Sequence, residues 1–145
     1  MLRRTQGEAR TALRFGPTIS WREAAAFSHC MLTREMHNRT IVDAAFQKAG
    51  VEVAPAIETN SIMTLVLSVL DGDVCAVLPG ALVAVARGYG ALEALPLREP
   101  EVHTPIGFMV ATAAPPTRAL EAALTLAQDG AWLRHAAAHS GLMTV

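Results

Sequence analysis

Three apolar runs of the chain end in residues that could hold a small charged ligand. Thr33 and Arg34 follow the first run, Thr59-Asn60-Ser61 follow the second, and Pro79-Gly80 follow the third. In open α/β sheets, ligands bind beyond the carboxyl ends of the strands, where helix N-termini offer unpaired N–H groups. Hydroxyls, one guanidinium and capped helix starts would suit a small anion, although ordinary caps and turns explain the same residues equally well. The candidate ligand-binding residues are Thr33, Arg34, Asn60, Ser61, Pro79 and Gly80.

The sequence contains no recognisable set of residues for catalysis, metal binding or dinucleotide binding. His29 beside Cys30 resembles a nucleophile pair but has no third orienting group, and both residues fall in a predicted strand. His135 and His139 share a helix face without an acidic or Cys partner, as expected of structural histidines. The Gly-x-Gly of residues 88–93 neither follows a strand nor opens a helix, and no G-x-S-x-G motif is present. We therefore predict no catalytic set, no metal site and no cofactor, and we expect that the protein is not an enzyme.

The periodicity of the apolar residues predicts the elements that must position the candidate site. Strand-like runs alternate with helical periods, which indicates crossover units and an α/β fold with a mainly parallel sheet and helices on both faces. Ser20 and Glu23 have capping-box spacing, and Gly50 and Asp71-Gly72 mark helix ends. Helices are predicted at 18–27, 38–50, 61–71, 81–87 and from 117, and strands at 27–33, 51–59, 74–79, 92–99 and 103–112.

Composition sets the broad class of the protein. The chain has 145 residues, 52% of them hydrophobic and 17% charged, which suits one compact domain or one lobe of a larger one. A net charge of −1 gives no overall bias towards nucleic acid or an anionic membrane. The cysteines lie 45 residues apart in apolar runs, and neither a membrane span nor a secretory signal is recognisable. We expect a reduced, cytoplasmic protein, with residues 1–17 forming an irregular, Arg-rich lead-in.

A longer stretch, TISWREAAAFSHCMLTREMHNRTIVDAAFQKAGVEVAPAIETNSIMTLVLSVLDGDVCAVLPGALV, resembles the effector-binding domain of LysR-type transcriptional regulators. That family runs a strand into a polar turn and a helix ending AFxxAG, then a strand ending in Glu, a capped helix, and a strand ending in LP. The resemblance covers residues 18–128, with Asp73 in place of the small residue that commonly precedes the last strand. It implies a periplasmic-binding-protein-like half, with residues 18–102 as the second subdomain and 103–145 as a returning strand and helix of the first.

The resemblance also implies a function. It predicts an effector-sensing and dimerising module that binds a small, anionic metabolite, with Thr33, Arg34, Pro79, Gly80 and Ala81 lining the cleft. It implies a homodimer or a swapped oligomer, with Met63 and Leu67 at the interface rather than in the core. DNA would be contacted only through a winged helix-turn-helix domain, which we expect to be missing from this chain together with most of the first subdomain. The alternative is a stand-alone small-molecule-binding or interaction module that dimerises with a full-length regulator.

Overall fold

The computed structural model describes residues 1–5, 12–104, 109–111 and 117–139. The chain divides into two compact units, residues 1–102 and residues 103–145. The strands are β1 (Leu2–Arg4), β2 (Arg14–Phe15), β3 (Ile19–Ser20), β4 (Cys30–Leu32), β5 (Ile57–Thr59), β6 (Leu92–Ala94) and β7 (Leu97–Arg98). The helices are α1 (Trp21–Ala24), α2 (His37–Lys48), α3 (Ile62–Asp71), α4 (Gly80–Val85), α5 (Arg118–Gln128) and α6 (Gly130–His139), and a 3₁₀ turn spans Ala86–Gly88.

The strands of the first unit form short, mixed ladders. β4 pairs in parallel with β5, β2 with β6 and β3 with β7, whereas β1 pairs antiparallel with β6. The predicted strand 74–79 contributes only two isolated bridges, Cys75 to His29 in parallel and Ala76 to Leu2 antiparallel. The α/β class is therefore confirmed. The hydrogen-bonded ladders group into three small sheets, so a single, mainly parallel sheet remains an interpretation.

The first residues of the chain form structure that their sequence does not indicate. We expected residues 1–17 to be an irregular lead-in, but Leu2–Arg4 is a strand with its Leu2 side chain fully buried. Leu2 exchanges backbone hydrogen bonds with Ala76 at 2.7 and 2.8 Å. The Arg3 guanidinium donates two hydrogen bonds, at 2.9 and 2.7 Å, to the carboxylate of Glu93 on the neighbouring strand. Too few residues lie in β1 to show a period of two, and its long-range partners cannot be read locally.

Apolar side chains pack on both faces of β4. Cys30 and Leu32 join a core cluster that includes Leu65 and Val69 of α3. Met31 points to the opposite face, because successive strand residues alternate, and it joins a second cluster. That second cluster is built with Trp21, Val42 and Phe46 from α1 and α2. Helices therefore cover both faces of β4, in agreement with the predicted sheet that carries helices on both faces.

Local signals fix the ends of the helices. Ser20 and Glu23 form the predicted capping box at α1, although this helix ends at Ala24 rather than at residue 27. α2 ends at Lys48 and is followed by Gly50 with φ of +72°, the left-handed conformation that a glycine adopts without strain. The Ser61 hydroxyl accepts a hydrogen bond from the Thr64 N–H and caps α3. These predicted boundaries are confirmed to within a few residues.

The described residues of the second unit form two helices where the sequence predicts one. Thr117 caps α5, and its side chain accepts a hydrogen bond from the Leu120 N–H. The Asp129 carboxylate then accepts from the N–H groups of Ala131 and Trp132 and begins α6. Of the strand predicted at 103–112, residues 103–104 and 109–111 are described and lie outside any strand, and the rest lies outside the described residues. The side chains of His135 and His139 also lie outside the described part of the chain.

Candidate functional site

The first unit brings the polar ends of its predicted strands to one edge. Leu32 is in register with Thr59, and the Thr33 N–H donates to the Thr59 carbonyl at 3.0 Å. Cys75 runs parallel to His29 on the other side of β4, and the Cys30 N–H donates to the Cys75 carbonyl at 2.8 Å. Because these three segments run in the same direction, the residues after each of them lie at a common edge. We call this edge the rim and define it as residues 33–39, 58–61 and 77–81.

Thr33 is a rim residue with a buried hydroxyl that lacks a hydrogen-bond partner among the described residues. Its side-chain Oγ1 is buried, and among the described residues it has no hydrogen-bond partner within 3.5 Å. The Glu35 backbone N–H and, second, the nearby Thr33 hydroxyl lower the pKa of the exposed Glu35 carboxyl. The two groups are close, but their geometry falls short of a hydrogen bond, so the Thr33 hydroxyl has no hydrogen-bond partner among the described residues. Because this hydroxyl is buried, a ligand would reach it only if neighbouring groups moved. A buried polar atom without a partner costs free energy, which a ligand atom would relieve.

The other predicted site residues differ in how accessible they are. Arg34, Asn60 and Pro79 are exposed, and Gly80 is half-buried at the start of α4. The Ser61 hydroxyl already accepts a hydrogen bond as the cap of α3, so its first role is structural. The Pro79 carbonyl likewise accepts from the N–H groups of Leu82 and Val83, in the first turn of α4. Thr33 and Arg34 thus keep unused polar groups, whereas Ser61 and Pro79 also have local structural roles.

A buried arginine at the rim was missed from the sequence. Arg39 has only 3% of its side chain exposed. Its Nη1 donates to the Leu32 carbonyl at 2.8 Å and to the Glu58 carboxylate at 2.6 Å, and its Nε donates to Asp43 at 2.8 Å. Burial acts to lower the pKa of Arg39, but the hydrogen bonds and charges of Asp43 and Glu58 outweigh burial and raise it. The Arg39–Asp43 spacing of four residues was readable as a helical ion pair, but the contact with Glu58 requires the fold.

A narrow pocket lies beside this arginine. Arg39 and Asn38 of α2 line it together with Leu32 at the end of β4 and Val77 of the neighbouring segment. The Asn38 amide approaches the Val77 carbonyl at 3.5 Å, which is long for a hydrogen bond. The pocket has room for about one water molecule. A ligand larger than water must therefore move a side chain or contact the rim from outside.

His29 and Cys75 form a buried neutral pair away from the rim. The His29 Nε2 lies 2.9 Å from the Ala24 carbonyl, and its Nδ1 lies 3.3 Å from the Cys75 Sγ. Burial lowers the pKa of His29 and raises the pKa of the Cys75 thiol to about 12. The thiol therefore stays protonated near neutral pH and is a poor nucleophile. Cys30 packs in the core cluster on the face of β4 opposite to the cluster that contains Cys75. Burial raises the pKa of the Cys30 thiol as well.

Two further properties concern the described residues alone. Among them, no group of three or more His, Cys, Asp or Glu side chains could hold a metal ion. None of the helices in the described part of the chain is both long and apolar enough to cross a membrane.

Comparison with known families assigns the chain. A family model, the LysR substrate binding domain, matches residues 9–132, which is most of the chain. The chain belongs to this family. The LysR substrate-binding domain has a periplasmic-binding-protein-like α/β fold, and it is the regulatory ligand-binding domain of LysR-type transcriptional regulators. The resemblance carried by residues 18–128 is thereby confirmed. A comparison of this chain with curated proteins found no match.

Proposed function

We propose that this chain is the effector-sensing and dimerisation module of a LysR-type bacterial transcriptional regulator, and that its rim binds a small anionic metabolite. The observation that carries the proposal is the parallel arrangement of three adjacent segments, in which the Thr33 N–H donates to the Thr59 carbonyl and Cys75 pairs with His29 on the other side of β4. Ligands of open α/β sheets bind at such edges. The buried Thr33 hydroxyl, which has no described partner, supplies a polar group for ligand recognition.

The donor groups and the helix start of the rim can hold an anion, although Glu35 and Glu58 balance the charges of Arg34 and Arg39 within the rim. Arg34 is exposed beside Thr33 and can reach a ligand without giving up a buried contact. α3 begins at the same edge, and the N–H groups of its first turn carry the positive end of the helix dipole. Asn60, Ser61 and Gly80 complete the proposed set with backbone and side-chain donors. Carboxylates and phosphates are the ligand classes that such donors recognise.

α3 supports the proposal of a dimer. Met63 and Leu67 are 65% and 52% exposed, although the opposite side of the helix buries Leu65 and Val69 in the core. Two large apolar side chains one turn apart form an unpartnered stripe on a helix of this unit. We propose that a second copy covers this stripe, so that the regulator senses its effector as a dimer. The regulator would act in the cytoplasm and contact DNA through its helix-turn-helix domain.

A ligand screen tests the proposed function. The 145-residue chain is heated with members of a panel of small carboxylates, phosphates and aromatic acids, and its melting temperature is recorded. We expect at least one compound class to raise the melting temperature, because a ligand that binds only the folded chain stabilises it. The ligand-induced rise in melting temperature should be smaller in the Arg34→Ala variant. Arg22→Ala is the control, because the Arg22 guanidinium donates to the Ala49 carbonyl, away from the rim. An Arg34→Ala variant that keeps the whole response would remove Arg34 from the site.

A further inference from the structure

The buried charges of the rim indicate how an anionic ligand would be recognised. We infer that Arg39 is a specificity-determining residue whose guanidinium binds the ligand's carboxylate, and that Glu58 occupies this position in the ligand-free chain. The inference rests on the proposed function, since it names the group that the rim would present to its effector. On binding, the ligand's carboxylate would replace the Glu58 carboxylate as the acceptor of the Arg39 Nη1 hydrogen bond, and the Glu58 side chain would rotate into solvent.

Arg39 has the properties that such an anchor needs. Its side chain is 3% exposed, so its position is set by packing, and it lines the pocket at the end of β4. The Leu32 carbonyl accepts from the same Nη1 atom at 2.8 Å and holds the guanidinium at the rim. A planar guanidinium can bind a carboxylate through two parallel hydrogen bonds, which gives geometric selectivity as well as energy. The ligand would find this donor group already oriented.

Glu58 has the properties of a replaceable partner. Its carboxylate lies 2.6 Å from Arg39 Nη1, yet 45% of the side chain is exposed. It therefore needs no rearrangement of the core to leave, and its charge would be solvated in water. Exposure also weakens the pair, because solvent and salt screen a half-exposed carboxylate. An incoming carboxylate consequently competes against a modest interaction rather than a strong one.

Asp43 is the fixed partner and the natural comparison. It has a similar exposure, 46%, and its carboxylate lies 2.8 Å from Arg39 Nε. Unlike Glu58, it lies on the same helix as Arg39, four residues further on, so helix geometry holds the two side chains together. Arg39 therefore keeps a neutralising partner during the exchange, and a bare buried cation is never produced.

The test uses acetate and acetamide, which have nearly the same shape and differ in charge. Each is titrated into the ¹⁵N-labelled 145-residue chain at constant ionic strength, and the rim amide signals report the affinities. We expect Glu58→Gln to raise the ratio of acetate to acetamide affinity about fivefold, because the competing charge is gone. Asp43→Asn removes the same charge from the helix partner and should change the ratio much less. Arg39→Gln should remove most of the preference for acetate and leave only the part that Arg34 and the start of α3 supply.

The outcomes separate the inference from the proposed function. If acetate shifts the rim signals but Glu58→Gln leaves the ratio unchanged, the exchange is overturned while a ligand-binding rim survives. An equal rise in Glu58→Gln and Asp43→Asn would also overturn it, because it would reflect only the general charge of the region. If neither acetate nor any compound of the screening panel affects the rim, both the proposed function and this inference fail. Glu58→Gln should fold normally because its side chain is half-exposed, and an unchanged pattern of core signals checks this.

Discussion

Thr33 is a residue whose chemistry allows ligand binding to be separated from stability. Its buried hydroxyl has no hydrogen-bond partner among the described residues, so Thr33→Val removes a polar atom without breaking a bond. We expect the free energy of unfolding to stay the same or to rise by up to about 1 kcal/mol. The response to ligands should fall. Urea unfolding and the ligand melting series measure the two effects, and a clear loss of stability would show that the hydroxyl has a partner in solution.

When the 145-residue chain is prepared with a free amino group at Met1, that group predicts a pH dependence of its stability. It is buried, donates to the Leu95 carbonyl, and burial lowers its pKa to about 5 from 8.0. The folded chain thus favours the neutral amine, so its stability is complete above about pH 8 and is lost as the pH falls towards 5. A shift of this size corresponds to a loss of roughly 4 kcal/mol.

Urea unfolding between pH 8.5 and pH 5 measures this loss. An N-acetylated chain is the control, because it carries no charge at that position. Burial also lowers the pKa of His29, so the acetylated chain should still lose some stability, but only below about pH 6.5. Equal profiles for the two chains would contradict the role of the amino group.

At the scale of the elements, Ser61 has one role that the structure describes and one that we propose. Its hydroxyl caps α3 by accepting from the Thr64 N–H at 3.3 Å. Ser61→Ala should therefore cost about 1 kcal/mol of unfolding free energy, as the loss of an N-cap commonly does. Asn60→Ala, next to it and exposed, should cost much less. A stability loss as large in Asn60→Ala as in Ser61→Ala would show that the cap is not the cause.

The elements also show what sequence can and cannot supply. α2 and α3 were predicted with nearly correct ends, because Gly50 and Ser61 act locally and the apolar period spans several turns. β1 was missed, because its three residues are stabilised by Ala76 and by β6, which lie far away in the chain. The polar turns that form the rim could be predicted, because they follow the ends of predicted strands. The ion pair of Arg39 with Glu58 was not, because 19 residues and a parallel pairing separate the two side chains.

At the scale of the whole molecule, α3 determines the predicted assembly. Met63 and Leu67 are exposed, so replacing both by Lys should hardly affect folding but should disrupt the proposed dimer. Sedimentation velocity of the 145-residue chain should show a dimer that dissociates in the double variant. Gln47→Lys is the control, since this exposed residue lies on α2 rather than on the helix that carries the Met63–Leu67 stripe. A wild-type chain that stays monomeric at high concentration would contradict the dimer.

The central claim is that the rim of this LysR substrate-binding domain binds a small effector. Backbone amide spectra of the ¹⁵N-labelled chain, recorded with the panel compound that gives the largest thermal shift, test it most directly. The account predicts saturable shifts that concentrate at Thr33, Arg34, Ser61 and Gly80 and that weaken together in Thr33→Val. Saturable shifts confined to α1, β6 or β7, with an unchanged rim, would contradict it.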